Sequence, residues 1–404
     1  MTHDHATGTD AARLRAAAAA DDAFGADLYQ RLGVGQENLV FSPASIAAAL
    51  QMALAGARGS TAAQLAAALH LGGADPAEGA RDGLLLLSEV IRACQDRTVT
   101  LQAPSTLWVQ AGLPLADSFT GPLQDVAAAI VREADFRGAP QQARSAINEL
   151  IAAQTAGKIA NLLGRDAVTA ATRLVLANAV YLKAPWASPF TASATRDAPF
   201  HPEPGTGTTS TTGTAPITVP MMHRTADLPY RRGDGCQAVL LPYKNSSLAM
   251  AIVLPDGPLS SLTPQLGQGQ AQGVLGPLLA GAERQSVALA MPKFRQRTST
   301  GLIPVLRQLG IQDAFTDTAD FTGITTAERL HIGAVVHQAY IDVDEQGTEA
   351  AAATAVAMRP LALRQQPQPI PLTVDRPFLF AILDTATGLP LFLGQVTRPA
   401  PKTA

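Results

Sequence analysis

Residues 345–377 read EQGTEAAAATAVAMRPLALRQQPQPIPLTVDRP, and the fold of the whole chain turns on how they are taken. The first half is alanine-rich, and alanine has the highest helix propensity, so propensity alone predicts a surface helix. Alternate residues give a second pattern. Thr348, Ala350, Ala352, Thr354, Val356 and Met358 would share one face of a strand, with Glu349, Ala351, Ala353, Ala355 and Ala357 on the other. A strand with small, uncharged side chains on its inner face can enter between existing strands at low steric cost. The second half, Pro360 to Pro371, is rich in Pro and Gln. Proline has no backbone donor and breaks both a helix interior and a central strand. That half is predicted to be an exposed, extended, protease-accessible loop.

The flanks supply the sheet such a strand would need. Residues 173–182, RLVLANAVYL, are continuously apolar and branched, as a strand buried on both faces requires. Period-two segments at 238–242, 248–254, 287–294, 333–343 and 378–383 read as further strands. The first half of the chain is mostly helical. Leu14, Phe24, Leu28 and Leu32 lie at near-helical spacing within 11–32. After Gly33 and Gly35, Asn38–Phe41 is strand-like; Ser42 then caps a helix with Pro43 at its first position, ending at Gly56. A second cap at Ser60-Thr61, a helix over 82–95, a strand within 99–110 and a helix from 141 to Gly157 follow. Helices and strands mix without βαβα alternation, which predicts an α+β fold. Residues 203–216, EPGTGTTSTTGTAP, are a low-complexity loop. No repeat or linker divides the chain, so residues 11–400 read as one domain behind a disordered 1–10.

Composition removes several functions. Of 404 residues 47% are hydrophobic and 16% charged, too apolar for a disordered protein. The net charge of -3 gives no nucleic-acid footprint; the arginines cluster only in pairs such as Arg231-Arg232. Nor do residues 80–97, ARDGLLLLSEVIRACQDR, offer a basic run for a polyanion. Cys94 and Cys236 build no disulfide framework and stand in no metal-ligand spacing. There is no G-x-S-x-G, H-E-x-x-H or P-loop. Gly267-Gln-Gly269-Gln-Ala-Gln-Gly273 has one residue too many for a dinucleotide loop. Asp342-Val-Asp344-Glu-Gln346-Gly347 opens like a calcium loop, but its closing carboxylate would fall at Ala353. His3, His5, His70, His201, His223, His331 and His337 are scattered. The chain is read as no enzyme, with no catalytic residue, metal or cofactor. Its N-terminal alanine run is interrupted by Asp21-Asp22, and no window approaches a membrane span. A cytoplasmic, membrane-free protein is expected.

Gly347-Thr348-Glu349-Ala350-Ala351-Ala352, after Val343-Asp344-Glu345, resembles the hinge of the serpins, in an inhibitory, bacterial-type form. The resemblance runs in order along nearly the whole chain. Asn38-Leu-Val-Phe-Ser-Pro-Ala-Ser45 is similar to the family's early strand-to-helix motif. Leu176-Ala-Asn178-Ala-Val-Tyr181-Leu-Lys-Ala-Pro-Trp186 through Pro189-Phe190 resembles its central strand and breach. Val219-Pro220-Met221-Met222, Leu241-Pro242-Tyr243, Met291-Pro292-Lys293-Phe294, Leu309-Gly310 to Phe315 and Asp320-Phe321-Thr322-Gly323-Ile324 continue it. Val336-His337-Gln338-Ala339 precedes the hinge, and Arg376-Pro377-Phe378 with Gly388 to Pro399 closes the chain. Two positions depart: Leu150 stands near a frequent tryptophan, and Ser105 where asparagine is frequent.

The resemblance implies three β-sheets, eight or nine helices and an exposed reactive loop, here 345–371. It implies a suicide substrate: a protease attacks the loop, forms an ester with the residue before the cut, and is trapped when the freed loop enters the large sheet. Gly347, Thr348, Glu349, Ala350, Ala351, Ala352, Ala353 and Thr354 would be the hinge. Ser42, Ser45, Asn178 and His337 would be the shutter beneath the opening, and Trp186 the breach where insertion begins. The hinge glycine stands fifteen residues before the cut in that family, counting the cleaved residue, which gives Leu361-Ala362. Leu363 and Arg364 are rivals, and counting back from Arg376 points near Gln366. Leu361 suits a serine protease of chymotrypsin-, elastase- or subtilisin-like specificity, with a cysteine protease as an alternative target. A monomer without polyanion cofactor is implied, and an extracellular location becomes the alternative. The competing function is a non-inhibitory binding protein or chaperone on the same fold.

Overall fold

Alanine and leucine collect in the first half of the chain, and six of the seven described α-helices form there. The computed structural model describes residues 8–33, 38–72, 75–95, 98–124, 126–203, 215–262, 276, 279–349 and 368–399. Its α-helices are α1 (Gly8–Leu32), α2 (Pro43–Gly56), α3 (Gly59–Ala68), α4 (Pro76–Ala93), α5 (Asp117–Gln124), α6 (Pro140–Gln154) and α7 (Ile303–Gln308). These seven are the α-helices among the described residues, against the expected eight or nine. Helix α1 begins at Gly8, inside the segment 1–10 expected to be disordered; residues 1–7 lie outside the described residues.

Ser42 caps α2 as expected, its Oγ accepting from the Ser45 amide at 3.2 Å. Every residue of α2 except Ala55 is buried, which fits a helix apolar on all sides. The second expected cap is corrected. Arg58 precedes α3 without a side-chain cap bond. Ser60 and Thr61 lie inside the first turn and their hydroxyls serve tertiary contacts: Ser60 Oγ donates to Asp313 at 2.6 Å, and Thr61 Oγ1 accepts from the Asp320 amide at 3.0 Å.

Two hydrogen-bonded sheets enclose α2. The first has nine strands: β1 (Asn38–Phe41), β16 (Pro390–Val396), β15 (Phe378–Asp384), β9 (Leu248–Pro255), β8 (Cys236–Pro242), β7 (Ile217–Gly233), β10 (Glu283–Pro292) and β14 (Ile370–Thr373) in that order, with β6 (Arg196–Phe200) on β7. Strand β7 explains why three expected sheets join into two ladders. At 17 residues it pairs with β6 and β10 through most of its length and with β8 at its end, linking two smaller sheets. The second sheet has seven strands: β11 (Phe294–Gly301), β12 (Ile332–Val343), β13 (Gly347–Thr348), β5 (Leu174–Pro185), β3 (Ser105–Gln110) and β4 (Ala129–Ala134), with β2 (Thr100–Gln102) on β5. Helix α2 packs on β3 and β5 of this sheet and on β16 of the other, so the main core lies between them. Helix α6 covers the opposite face, where Ile147 and Ile151 meet Val175, Ala177 and Ala334. Of the expected low-complexity loop 203–216, residues 204–214 lie outside the described residues.

Candidate functional site

Strands β5 and β12 run parallel and separate at one end. They pair from Leu174↔Ile332 to Val180↔Ala339. Beyond that point β13 lies between them, Thr348 opposite Ala184 of β5 and Val343 of β12, antiparallel to both. Gly347 and Thr348, ahead of the alanines, are therefore strand; the alanines from Ala350 on lie outside the described residues. Gly347 has φ 151°, and a Cβ there would stand 2.1 Å from Ala184 O, so only glycine fits this close entry.

Aromatic residues frame the entry. Thr348 is fully buried and its Oγ1 lies 2.6 Å from Tyr243 Oη. Burial pushes the Tyr243 hydroxyl far up, so it remains a donor. Trp186 stacks on Tyr243 at 4.7 Å between ring centroids, and its indole Nε1 donates to Asp344 O at 3.0 Å. The turn into β13 is tied by Trp186 N to Gln346 O and Phe190 N to Glu345 O, both 2.8 Å. Glu345 accepts from Lys293 at 2.6 Å and from Thr195 at 2.7 Å. Burial opposes ionisation of Glu345, but these two donors outweigh it and hold the carboxyl below its ordinary value. Glu349 pairs with Lys158.

A second, polar cluster lies where β5 and β12 are still paired. His337 and Asn178 are directly opposite in the ladder. His337 Nε2 accepts from the Ser42 amide at 3.1 Å, and Nδ1 contacts Asn178 Oδ1. Complete burial pushes the imidazole down to about 3, so it is neutral; with Nε2 accepting, Nδ1 carries the proton and donates. Ser45 Oγ donates to the same Asn178 oxygen at 3.2 Å. Ser42, Ser45, Asn178 and His337 thus meet around the seam, each at most 1% exposed. Asn178 Nδ2 is buried without an acceptor among the described residues. Ser105 joins them through Oγ to Ser45 O at 3.1 Å, so a position noted only as a departure belongs to the cluster.

Of the expected hinge, Gly347, Thr348 and Glu349 are placed. Ala350, Ala351, Ala352, Ala353 and Thr354 lie outside the described residues, as do Leu361-Ala362 and the rivals Leu363, Arg364 and Gln366. The flanking residues belong to different sheets: Thr348 to the seven-stranded one, and Ile370 to the nine-stranded one, where β14 runs parallel to β10. Sequence reading gave Tyr243 no role at the hinge and did not find Lys158 or Lys293. Their partners are distant in sequence, and a tyrosine after Leu241-Pro242 carries no signal that it will bond Thr348. Among the described residues no group of three His, Cys, Asp or Glu could hold a metal, and no helix is long and apolar enough to cross a membrane. What the arrangement holds is an extended segment, Gly347-Thr348, between two parted strands.

The profile of the family described as Serpin (serine protease inhibitor) matches residues 19–399. The chain belongs to the serpin family. It is 39% identical, over 94% of its length and 84% of the relative's, to an uncharacterised serpin-like protein of Thermococcus kodakarensis. It is 34% identical to the leukocyte elastase inhibitor of Bos taurus, covering 94% of this chain and 99% of that one. A solved structure of a highly specific serpin from the insect Tenebrio molitor matches with a TM-score of 0.80 at 28% identity, over 98% of this chain and all of the other.

Proposed function

We propose that this serpin is a suicide-substrate inhibitor of serine proteases, with residues 11–400 acting as one unit and 345–371 as its reactive loop. The observation that carries the reading is the seating of Gly347 and Thr348 between β5 and β12 in the uncut chain. The target's serine attacks the Leu361 carbonyl, the peptide bond to Ala362 breaks, and the new amine leaves with the C-terminal fragment. The acyl ester stays on Leu361. The cut frees the hinge to extend from Thr348 down the seam, replacing one parallel ladder with two antiparallel ones. Antiparallel pairing is slightly more stable per residue, and the number of ladder bonds rises, so insertion runs downhill. Inhibition is then a race between insertion and hydrolysis of the ester.

The polar cluster acts as the shutter, since the seam opens only by separating His337 from Asn178. Trp186 and Tyr243 act as the breach that guides the first residues. Small inward side chains from Thr348 to Thr354 favour the race, because a charge or a proline there would have to be buried or would break the ladder. Similarity to a leukocyte elastase inhibitor supports an apolar primary residue, and Pro360 disfavours cutting at Arg359. The test is incubation with trypsin-, chymotrypsin-, elastase- and subtilisin-like enzymes, read on a denaturing gel. A complex stable in detergent is expected with one of the last three, and its released fragment should begin at Ala362 by mass spectrometry. Cleavage without any complex would place the chain among non-inhibitory serpins; a fragment beginning at Gln365 would move the cut to Arg364.

A further inference from the structure

Glu349 is where the seated hinge turns, and the turn is held. Its φ is 49°, in the left-handed region that side chains other than Asn and Asp seldom adopt. Its amide donates to Asp342 O at 2.8 Å, and its carboxylate pairs with Lys158. Thr348 meets Tyr243 on one face of the sheet; Glu349 meets Lys158 on the other, the face that α6 covers. Lys158 belongs to the connection between α6 and β5, so the pair ties the hinge to the helix side of the sheet.

The surroundings fit a fixed contact better than a surface ion pair. The Glu349 side chain is 17% exposed and that of Lys158 38%. The Lys158 ammonium lies 5.6 Å over the Tyr340 ring. The hydrogen bond to Glu349 raises the Lys158 pKa against the opposing effect of burial, so the charge is kept. Neighbouring cations have other partners: Arg295 takes Asp342 at 2.9 Å, and Arg297 lies 5.3 Å over Tyr340.

We propose that Lys158 is a positioning residue for strand insertion. By pairing with Glu349 it pins the hinge at its turn, fixing two seated residues as the starting point. It also resists the rotation of Glu349 into extended backbone that every further step of insertion requires. The consequence for inhibition rests on the insertion reading above; the pinning itself does not.

The experiment is hydrogen exchange of the uncut protein, followed on the peptide that spans Gly347 and Glu349. Lys158→Met keeps an unbranched apolar side chain and removes the ammonium that lies over Tyr340 and pairs with Glu349. It should speed exchange of that peptide roughly tenfold, as expected for a locally opened segment, while peptides from α2 keep the parent's rates. Glu349→Gln should do the same, the double variant should add nothing, and Lys158→Arg should restore protection. With protease, Lys158→Met should also shorten the time to complex formation. Unchanged exchange in both single variants, or additive effects in the double, would overturn the proposal. Exchange is read without protease, so a parent that forms no complex sinks the inhibitor reading and leaves the pinning judged on its own result.

Discussion

One sheet shows two states of the same strand pair. At one end β5 and β12 are hydrogen-bonded to each other over a buried polar cluster; at the other they are parted around Gly347 and Thr348. The difference lies in what fills the space. The closed end is held by a neutral histidine, an asparagine and three serines hydrogen-bonded to one another across the seam, with only Asn178 Nδ2 of the asparagine left without an acceptor among the described residues. The parted end is held by a glycine that alone fits, a threonine bonded to a tyrosine, and a tryptophan stacked behind them. On the insertion reading proposed above, a sheet already parted by two residues needs only release of the turn at Glu349 and separation of the seam below.

The harshest way to break this contrast is to make the parted end hostile. Thr348→Arg would bury an unpaired charge beside Tyr243, at a cost on the order of 3 kcal/mol or more. The chain should become a substrate, cut by its target without a lasting complex, with the count of inhibitor molecules consumed per protease rising steeply on a gel. Full inhibition at the parent's ratio would mean that Thr348 does not enter the sheet.

The closed end answers to pH. The folded His337 pKa lies near 3, below the ordinary histidine value, so the unfolded chain binds the extra proton between those values. Stability is therefore whole above about pH 6.5 and falls as pH drops through the window, by about 2 kcal/mol at pH 5. The buried Asp21 carboxyl, held well above its ordinary range by burial, drifts in the opposite direction. The difference between parent and His337→Gln isolates the histidine. Urea midpoints should converge as pH falls from 7.5 to 5; parallel profiles would show that the cluster does not hold a neutral imidazole.

Tyr243→Phe sharpens the comparison most gently. It removes one buried hydrogen bond at the parted end and leaves the stack on Trp186, at a cost of about 1 kcal/mol. Exchange of the Gly347 to Glu349 peptide should rise while the α2 peptides do not change. An effect spread over the whole sheet would make Tyr243 an ordinary core residue.

How much of this could be read beforehand depended on the range of the forces involved. The apolar run at 173–182 and the Ser42-Pro43 cap are local, and both appear where the sequence puts them. Gly347 and Thr348 are strand because pairing on both sides satisfies their backbone, which local propensity does not report. Ser60-Thr61 misled because a hydroxyl near a helix start can cap it or reach a neighbour, and spacing does not choose. Lys158, Lys293 and Tyr243 were invisible for a simpler reason: each acts on a residue that only the folded chain brings near.

The central claim, that the parted end receives the rest of the hinge, is tested most directly by thermal unfolding before and after a single clean cut within 358–366. Insertion should add a strand to the seven-stranded sheet and raise the midpoint sharply. An unchanged midpoint after a verified cut would contradict the account.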